Sequence, residues 1–130
     1  MSNVNLICEK SFSGADQEIV DRFIEFQQAL IDKNLDKLNE IILDSDKFIN
    51  LTGPQSKEEF IGDVGDDTLK FNISEILDPT ILFDDDNSAS LIAKVRLTVE
   101  INDKELRVIS DSVVSFEKIE AKWYISNWDN

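Results

Sequence analysis

The residues with the clearest chemical potential lie in an alternating segment, residues 105–118. Arg107 and Asp111 share one face of this segment, with Ile109 between them and Val113 beyond. A carboxyl group in such apolar surroundings either pairs with a cation or has a raised pKa and can donate a proton. Two interpretations of Asp111 therefore stay open: an ion-paired or solvent-facing carboxylate, or the acid or base of an isomerase, cyclase or hydratase.

Four other residues are candidates for contact with a small ligand. Asn50 lies in a short strand-like segment, residues 48–52, where an amide can hydrogen-bond a ligand but cannot do acid–base chemistry near neutral pH. Trp128, near the end of the chain, is either a wall of an apolar pocket or a packing residue. Phe23 and Phe26 have helical spacing, so they are core residues first and ligand contacts second.

Several kinds of site are excluded by composition. The chain has no histidine and a single cysteine, Cys8, which excludes internal disulfides, zinc sites built on Cys and His, and every imidazole-dependent triad. The acidic turn at residues 84–87 has Ala89 and Val95 where a calcium loop of the EF-hand type needs glycine and glutamate. We therefore expect no metal and no cofactor.

The charge of the chain restricts its partners. Its 130 residues include 27 acidic and 13 basic side chains, for a formal net charge of -14. Such a surface repels phosphate backbones and anionic lipids, so we expect no nucleic-acid or membrane binding; it serves either solubility or recognition of a basic partner. The apolar stretch at residues 4–8 is too short for a secretory signal, and no run of about 18 apolar residues occurs. We expect a cytoplasmic protein.

Helices and strands must position these residues, and the spacing of apolar residues along the chain predicts where each lies. Residues 1–14 form an N-terminal arm or a short added strand, and residues 15–130 form a single domain. Apolar residues recur at helical spacing in residues 15–33 and again after Asn34, a good N-cap residue. A third helix, through Val64, follows the capping box formed by Ser56 and Glu59. The order is thus helix, helix, short strand and helix.

Beyond Asp67 the period of the apolar residues becomes two, which predicts antiparallel strands. Asp78 and Pro79 interrupt the first strand, and Asn102 with Asp103 fits a two-residue hairpin turn. Strands this long must twist and bend, and a bent sheet wrapped around helices leaves a concave space. The expected fold class is therefore α+β.

Four short motifs carry a family resemblance: residues 34–36, 48–53, 55–60 and 122–125. With the order of elements they resemble the nuclear transport factor two-like (SnoaL-like) superfamily over residues 16–128, and small bacterial members of unassigned function most closely. The resemblance implies a cone, in which a curved antiparallel sheet wraps around three N-terminal helices in a cystatin-like roll. It also implies a pocket used for catalysis, ligand binding or protein contact, and homodimers through the outer sheet face.

The resemblance also places the candidate residues. It directs the odd-numbered residues of segment 105–118, including Arg107 and Asp111, into the cone. The tyrosine of a ketosteroid isomerase falls on Phe26 and its base near Thr52, and neither residue can do that chemistry.

The leading hypothesis is a non-catalytic domain that binds a small hydrophobic or amphipathic ligand or has an accessory role. Its predicted pocket residues are Asn50, Arg107, Asp111, Phe23, Phe26 and Trp128. One alternative is an enzyme that uses Asp111. The other is a protein-interaction or dimerisation module.

Overall fold

The computed structural model describes the backbone of residues 3–43, 48–50 and 53–129, and the side chains of residues 3–43 and 56–128. These residues form three helices, five strands of one sheet and a separate two-stranded hairpin. In chain order the elements are β1 (Val4–Ile7), α1 (Gly14–Asp32), α2 (Leu35–Ile41), β2 (Phe48–Asn50), β3 (Gly53–Gln55), α3 (Lys57–Val64), β4 (Leu69–Asp85), β5 (Ser88–Ile101), β6 (Lys104–Ile119) and β7 (Lys122–Asp129).

The three predicted helices are confirmed, as are the predicted caps at Asn34 and at Ser56 with Glu59. Helix α1 ends at Asp32, and the left-handed backbone of Lys33 (φ 52°) turns the chain so that the N–H of Asn34 donates to the carbonyl oxygen of Ala29 at 3.0 Å. The side chain of Asn34 caps α2 by accepting a hydrogen bond from the N–H of Lys37. At α3, Ser56 Oγ accepts from the N–H of Glu59 at 3.1 Å, and Glu59 Oε1 accepts from the N–H of Ser56 at 3.2 Å. Local sequence therefore sets the starts of α2 and α3.

The main sheet has the strand order β1-β4-β5-β6-β7 and is not closed. Strands β4 to β7 are antiparallel, as predicted. Strand β1 adds a parallel neighbour to β4, so the sheet is mixed. The N-terminal residues thus include the short added strand that was one of the two alternatives for this segment.

Positive backbone φ angles mark the turns and one bend of the sheet. Asn102 and Asp103 have φ of 52° and 66°, which matches the predicted two-residue hairpin turn between β5 and β6. Asp78 has φ of 44°, and the register of β4 with β5 shifts between Leu77 and Thr80. Asp78 and Pro79 therefore form a bulge within one continuous strand, which bends β4 instead of ending it.

The core lies between the helices and the concave face of the sheet. From α1 it takes a stripe at helical spacing, and from β5 it takes every second residue, because side chains of a strand alternate between the two faces. The main contributors are Ile19, Phe23, Phe26, Leu30, Leu38, Phe60, Ile76, Leu91, Val95, Val114, Phe116, Ile125 and Trp128. The curved sheet over three helices agrees with the predicted α+β cone.

Candidate functional site

Aromatic rings occupy the interior of the cone where a pocket was predicted. Phe26 packs against Phe23, Phe60 and Trp128, with ring centroids 6.1, 6.3 and 5.3 Å apart. The contact with Trp128 is edge to face, an arrangement that aromatic pairs prefer. Phe23, Phe26 and Trp128 are fully buried, so the structure brings these three predicted residues together as core residues.

A few neutral polar groups interrupt this apolar interior. Ser74 Oγ donates a 2.9 Å hydrogen bond to Gln27 Oε1, and Gln27 Nε2 is buried with no partner among the described residues. Trp128 Nε1 donates to Ser112 Oγ at 3.2 Å, and Ser112 Oγ lies 3.0 Å from Ser110 Oγ. No ionisable side chain is buried in residues 3–43 and 56–128. The described interior can therefore hydrogen-bond a neutral group but offers no acid or base.

These buried polar residues were not predicted from the sequence, although two signals were present. Gln27 follows Phe23 by four residues and precedes Leu30 by three, so helical spacing places it on the apolar stripe of α1. Ser110 and Ser112 occupy even-numbered positions of β6, on the same face as Val114 and Phe116. A polar residue inside an apolar stripe was the signal for each of them.

The prediction that Arg107 and Asp111 point into the cone is wrong. Both are exposed, and the side chain of Asp111 is 90% accessible, with Lys94 Nζ 4.0 Å away. The register decides this, since Ser110 and Ser112 lie opposite the buried Val95 and Ala93 of β5. Side chains alternate along a strand, so Arg107 and Asp111 must lie on the opposite face. A shift of one residue in the register between β5 and β6 would move every side chain of β6 to the other face of the sheet.

The remaining candidates from the sequence lie at or beyond the limits of the described residues. Asn50 is the last residue of β2 and pairs with Gly53, but its side chain is not among those described. Thr52, the position of the isomerase base, lies outside the described residues. The structure therefore does not bring the six predicted pocket residues together: Arg107 and Asp111 are separated from Phe23, Phe26 and Trp128 by the sheet.

The convex side of the sheet carries an apolar patch, which we call the outer face. It is formed by Ile73 of β4, Ile92 of β5, and Ile109 and Val113 of β6, which are 42%, 41%, 64% and 39% exposed. The registers place Ile92 beside Val113, while Thr98 of β5 lies between Ile73 and Arg107. Single exposed apolar residues are ordinary, but a patch on neighbouring strands indicates an interaction surface.

Charged residues interleave with this apolar patch. Arg96 forms an ion pair with Glu75 at 3.3 Å, and Lys94 approaches Asp111 at 4.0 Å. Arg107 has no ion-pair partner among the described residues, and it lines a groove of about 470 Å³ together with Arg96 and other residues of the outer face. Although the chain is strongly acidic, the described residues of the outer face therefore include one cation, Arg107, available for a partner.

Outside the two faces, the described residues show little that resembles a reactive site. Hydrogen bonds from the backbone N–H and the hydroxyl of Thr68 lower the pKa of Asp66 below its ordinary value of 3.8, with a smaller contribution from Lys33. Asp66 is exposed and supports the turn before β4. No cluster of three potential metal ligands occurs in the part of the chain that the structure describes. None of the described helices is long and apolar enough to cross a membrane.

The fold is shared with solved structures at low sequence identity. An NTF2-like protein from Cytophaga hutchinsonii aligns with a TM-score of 0.80 over 90% of this chain and 97% of that chain, at 14% identity. A proposed calcium/calmodulin dependent protein kinase II association domain from Xanthomonas campestris gives 0.75 over 94% and 91%, at 20% identity. A proposed aromatic ring hydroxylase from Novosphingobium aromaticivorans gives 0.69 over 87% and 85%, at 16% identity.

These neighbours have one fold and different described roles. No protein-family model matches the chain, and no curated protein matches it by sequence. Likeness at such identities shows architecture and not activity, because one fold supports many unrelated functions. The architecture that the sequence predicted is nevertheless confirmed: this chain has the nuclear transport factor two-like, or cystatin-like, fold.

Proposed function

We propose that the chain is a self-association module in which two copies pack outer face against outer face. The observation that carries this proposal is the set of exposed apolar side chains on the outer face, among which Ile109 is the most exposed of the large apolar side chains described. Burial of such a patch is the usual driving force of protein association. The association domain named among the structural neighbours is consistent with this role.

The charges on β6 are arranged so that one copy complements another. Arg107 and Asp111 lie two residues to either side of Ile109 on the same face of the strand. A two-fold axis in the interface, passing Ile109 at right angles to β6, makes the two β6 strands antiparallel. Arg107 then faces the partner's Asp111, and the same pair forms again across the axis, as an isologous interface requires. With the axis parallel to β6, like charges would meet, so the charges favour the antiparallel arrangement.

Sedimentation equilibrium tests this proposal and its geometry together. We expect a mass of about 30 kDa at micromolar concentration, twice the 14.8 kDa of one chain. Arg107→Asp alone and Asp111→Arg alone should each weaken the dimer about tenfold or more, because each places like charges opposite each other. The double variant with both changes should recover most of the loss. A monomeric native chain would refute self-association, and failure of the double variant to recover would refute the antiparallel geometry.

Ligand binding inside the cone is a second candidate, favoured by the buried and unpartnered Nε2 of Gln27. This amide could donate a hydrogen bond to an oxygen atom of a small hydrophobic or amphipathic ligand. The described part of the interior is otherwise filled by Phe23, Phe26, Phe60 and Trp128. An enzyme that uses Asp111 inside the cone has less support, because that carboxylate lies on the convex side.

A further inference from the structure

The second half of β4, residues 80–83, has a strand neighbour on one side only. It pairs with residues 89–92 of β5, whereas β1 covers β4 only from Ser74 to Leu77. No other described backbone group bonds to residues 80–83. In an antiparallel pair every second residue directs its N–H and C=O away from the partner strand. Among the described residues this short stretch is therefore an open sheet edge, which borders the outer face where Thr80 pairs with Ile92.

The side chains on this edge are unusually apolar for an unpaired strand. Leu82 is 52% exposed and Phe83 is 41% exposed. Phe83 packs against Trp123 with ring centroids 6.1 Å apart, and both line a groove of about 640 Å³. An apolar edge with free backbone groups is a template for an added strand, which proteins protect against unless they use it.

The charges around the edge determine which partner fits. Asp84, Asp85 and Asp86 follow the open stretch directly, and the last two also line the groove beside Phe83. Lys118 lines the same groove, with its Nζ 5.7 Å from the centre of the Trp123 ring, so the carboxylates outnumber the one cation described there. A second copy has the same three carboxylates beside its own edge, so pairing between two identical edges places like charges next to each other. A strand with basic side chains is attracted to this edge, because its cations lie close to the three carboxylates.

We propose that residues 80–83 bind an extended basic peptide segment as an additional strand. The peptide backbone pairs with the open N–H and C=O groups of β4. An apolar side chain of the peptide contacts Phe83 and Trp123, and a lysine or arginine interacts with Asp84, Asp85 or Asp86. The partner is thus a protein with an exposed, extended basic segment.

Fluorescence anisotropy with a labelled peptide of alternating lysine and valine tests the proposal. We expect saturable binding, with changes in amide chemical shift at residues 80–83. The matched control is the same peptide with methylated backbone nitrogens, which keeps every charge but cannot donate hydrogen bonds to the edge. It should bind about tenfold more weakly or worse. Equal affinity for the two peptides, or no binding of either, would overturn the proposal.

Two triple variants separate the acidic turn from the overall charge. Asp84→Asn with Asp85→Asn and Asp86→Asn should weaken binding about tenfold, because it removes the carboxylates beside the edge. The control, Glu58→Gln with Asp67→Asn and Asp103→Asn, removes as many exposed carboxylates from other elements and should change affinity less than about twofold. Equal losses in the two triple variants would show non-specific attraction to an acidic protein and would also overturn the proposal.

Discussion

Replacing Phe26 with alanine is expected to lower the free energy of unfolding by about 3–5 kcal/mol, the usual cost of removing a buried aromatic side chain. Phe26 is fully buried and contacts three other aromatic rings, so the variant loses apolar burial and leaves a cavity among Phe23, Phe60 and Trp128. Urea denaturation at a fixed protein concentration measures the change.

The control for this prediction is Leu106→Ala, which removes a large apolar side chain that is 47% exposed. Substitutions at exposed positions without special contacts usually change stability by less than about 0.5 kcal/mol, although a half-exposed leucine can cost somewhat more. If Phe26→Ala lowered the free energy of unfolding as little as Leu106→Ala, the interior of the cone would be loosely packed. The predicted pocket would then be supported again.

Replacing Ile109 with aspartate is expected to weaken the dimer about 100-fold or more. In the proposed interface Ile109 lies next to the two-fold axis, so the variant loses the apolar contact and buries two like charges close to each other for each dimer formed. The fold of one chain should persist, because Ile109 is 64% exposed and the core lies on the other side of the sheet. Size-exclusion chromatography with light scattering at several concentrations measures the shift.

The matched control is Leu106→Asp, on the same strand. Leu106 is also a large exposed apolar residue, but as an even-numbered residue of β6 it lies on the face opposite to Ile109. Its replacement should leave the dissociation constant within about twofold of the native value, which is below 0.5 kcal/mol. Equal effects of the two substitutions would contradict a dimer formed through the outer face.

Features of this fold that depend on neighbouring residues could be predicted from the sequence. Ser56 and Glu59 lie three residues apart, and this spacing alone defines the capping box that begins α3. Asn102 and Asp103 tolerate positive φ, which is why the turn between β5 and β6 could be placed. The spacing of apolar residues changes from helical to every second residue, and this change located the boundary between helices and sheet because it too depends only on residues close together in the chain.

The orientation of β6 could not be predicted from its own residues. Its odd-numbered face carries Ile109 and Val113 and its even-numbered face carries Val114 and Phe116, so apolar residues occur on both. The register with β5 decides which face is buried, and register is a long-range property. The resemblance supplied the wrong face, and the candidate site moved from the interior of the cone to its convex side.

The most direct test of self-association through the outer face is the solvent exposure of methyl groups in the native chain, measured by NMR with a soluble paramagnetic agent. The methyl groups of Ile92, Ile109 and Val113 should be shielded, while those of Leu106, which is exposed on the opposite face of β6, should be strongly relaxed. Equal relaxation of the two groups at concentrations where the dimer is expected would contradict an interface at the outer face.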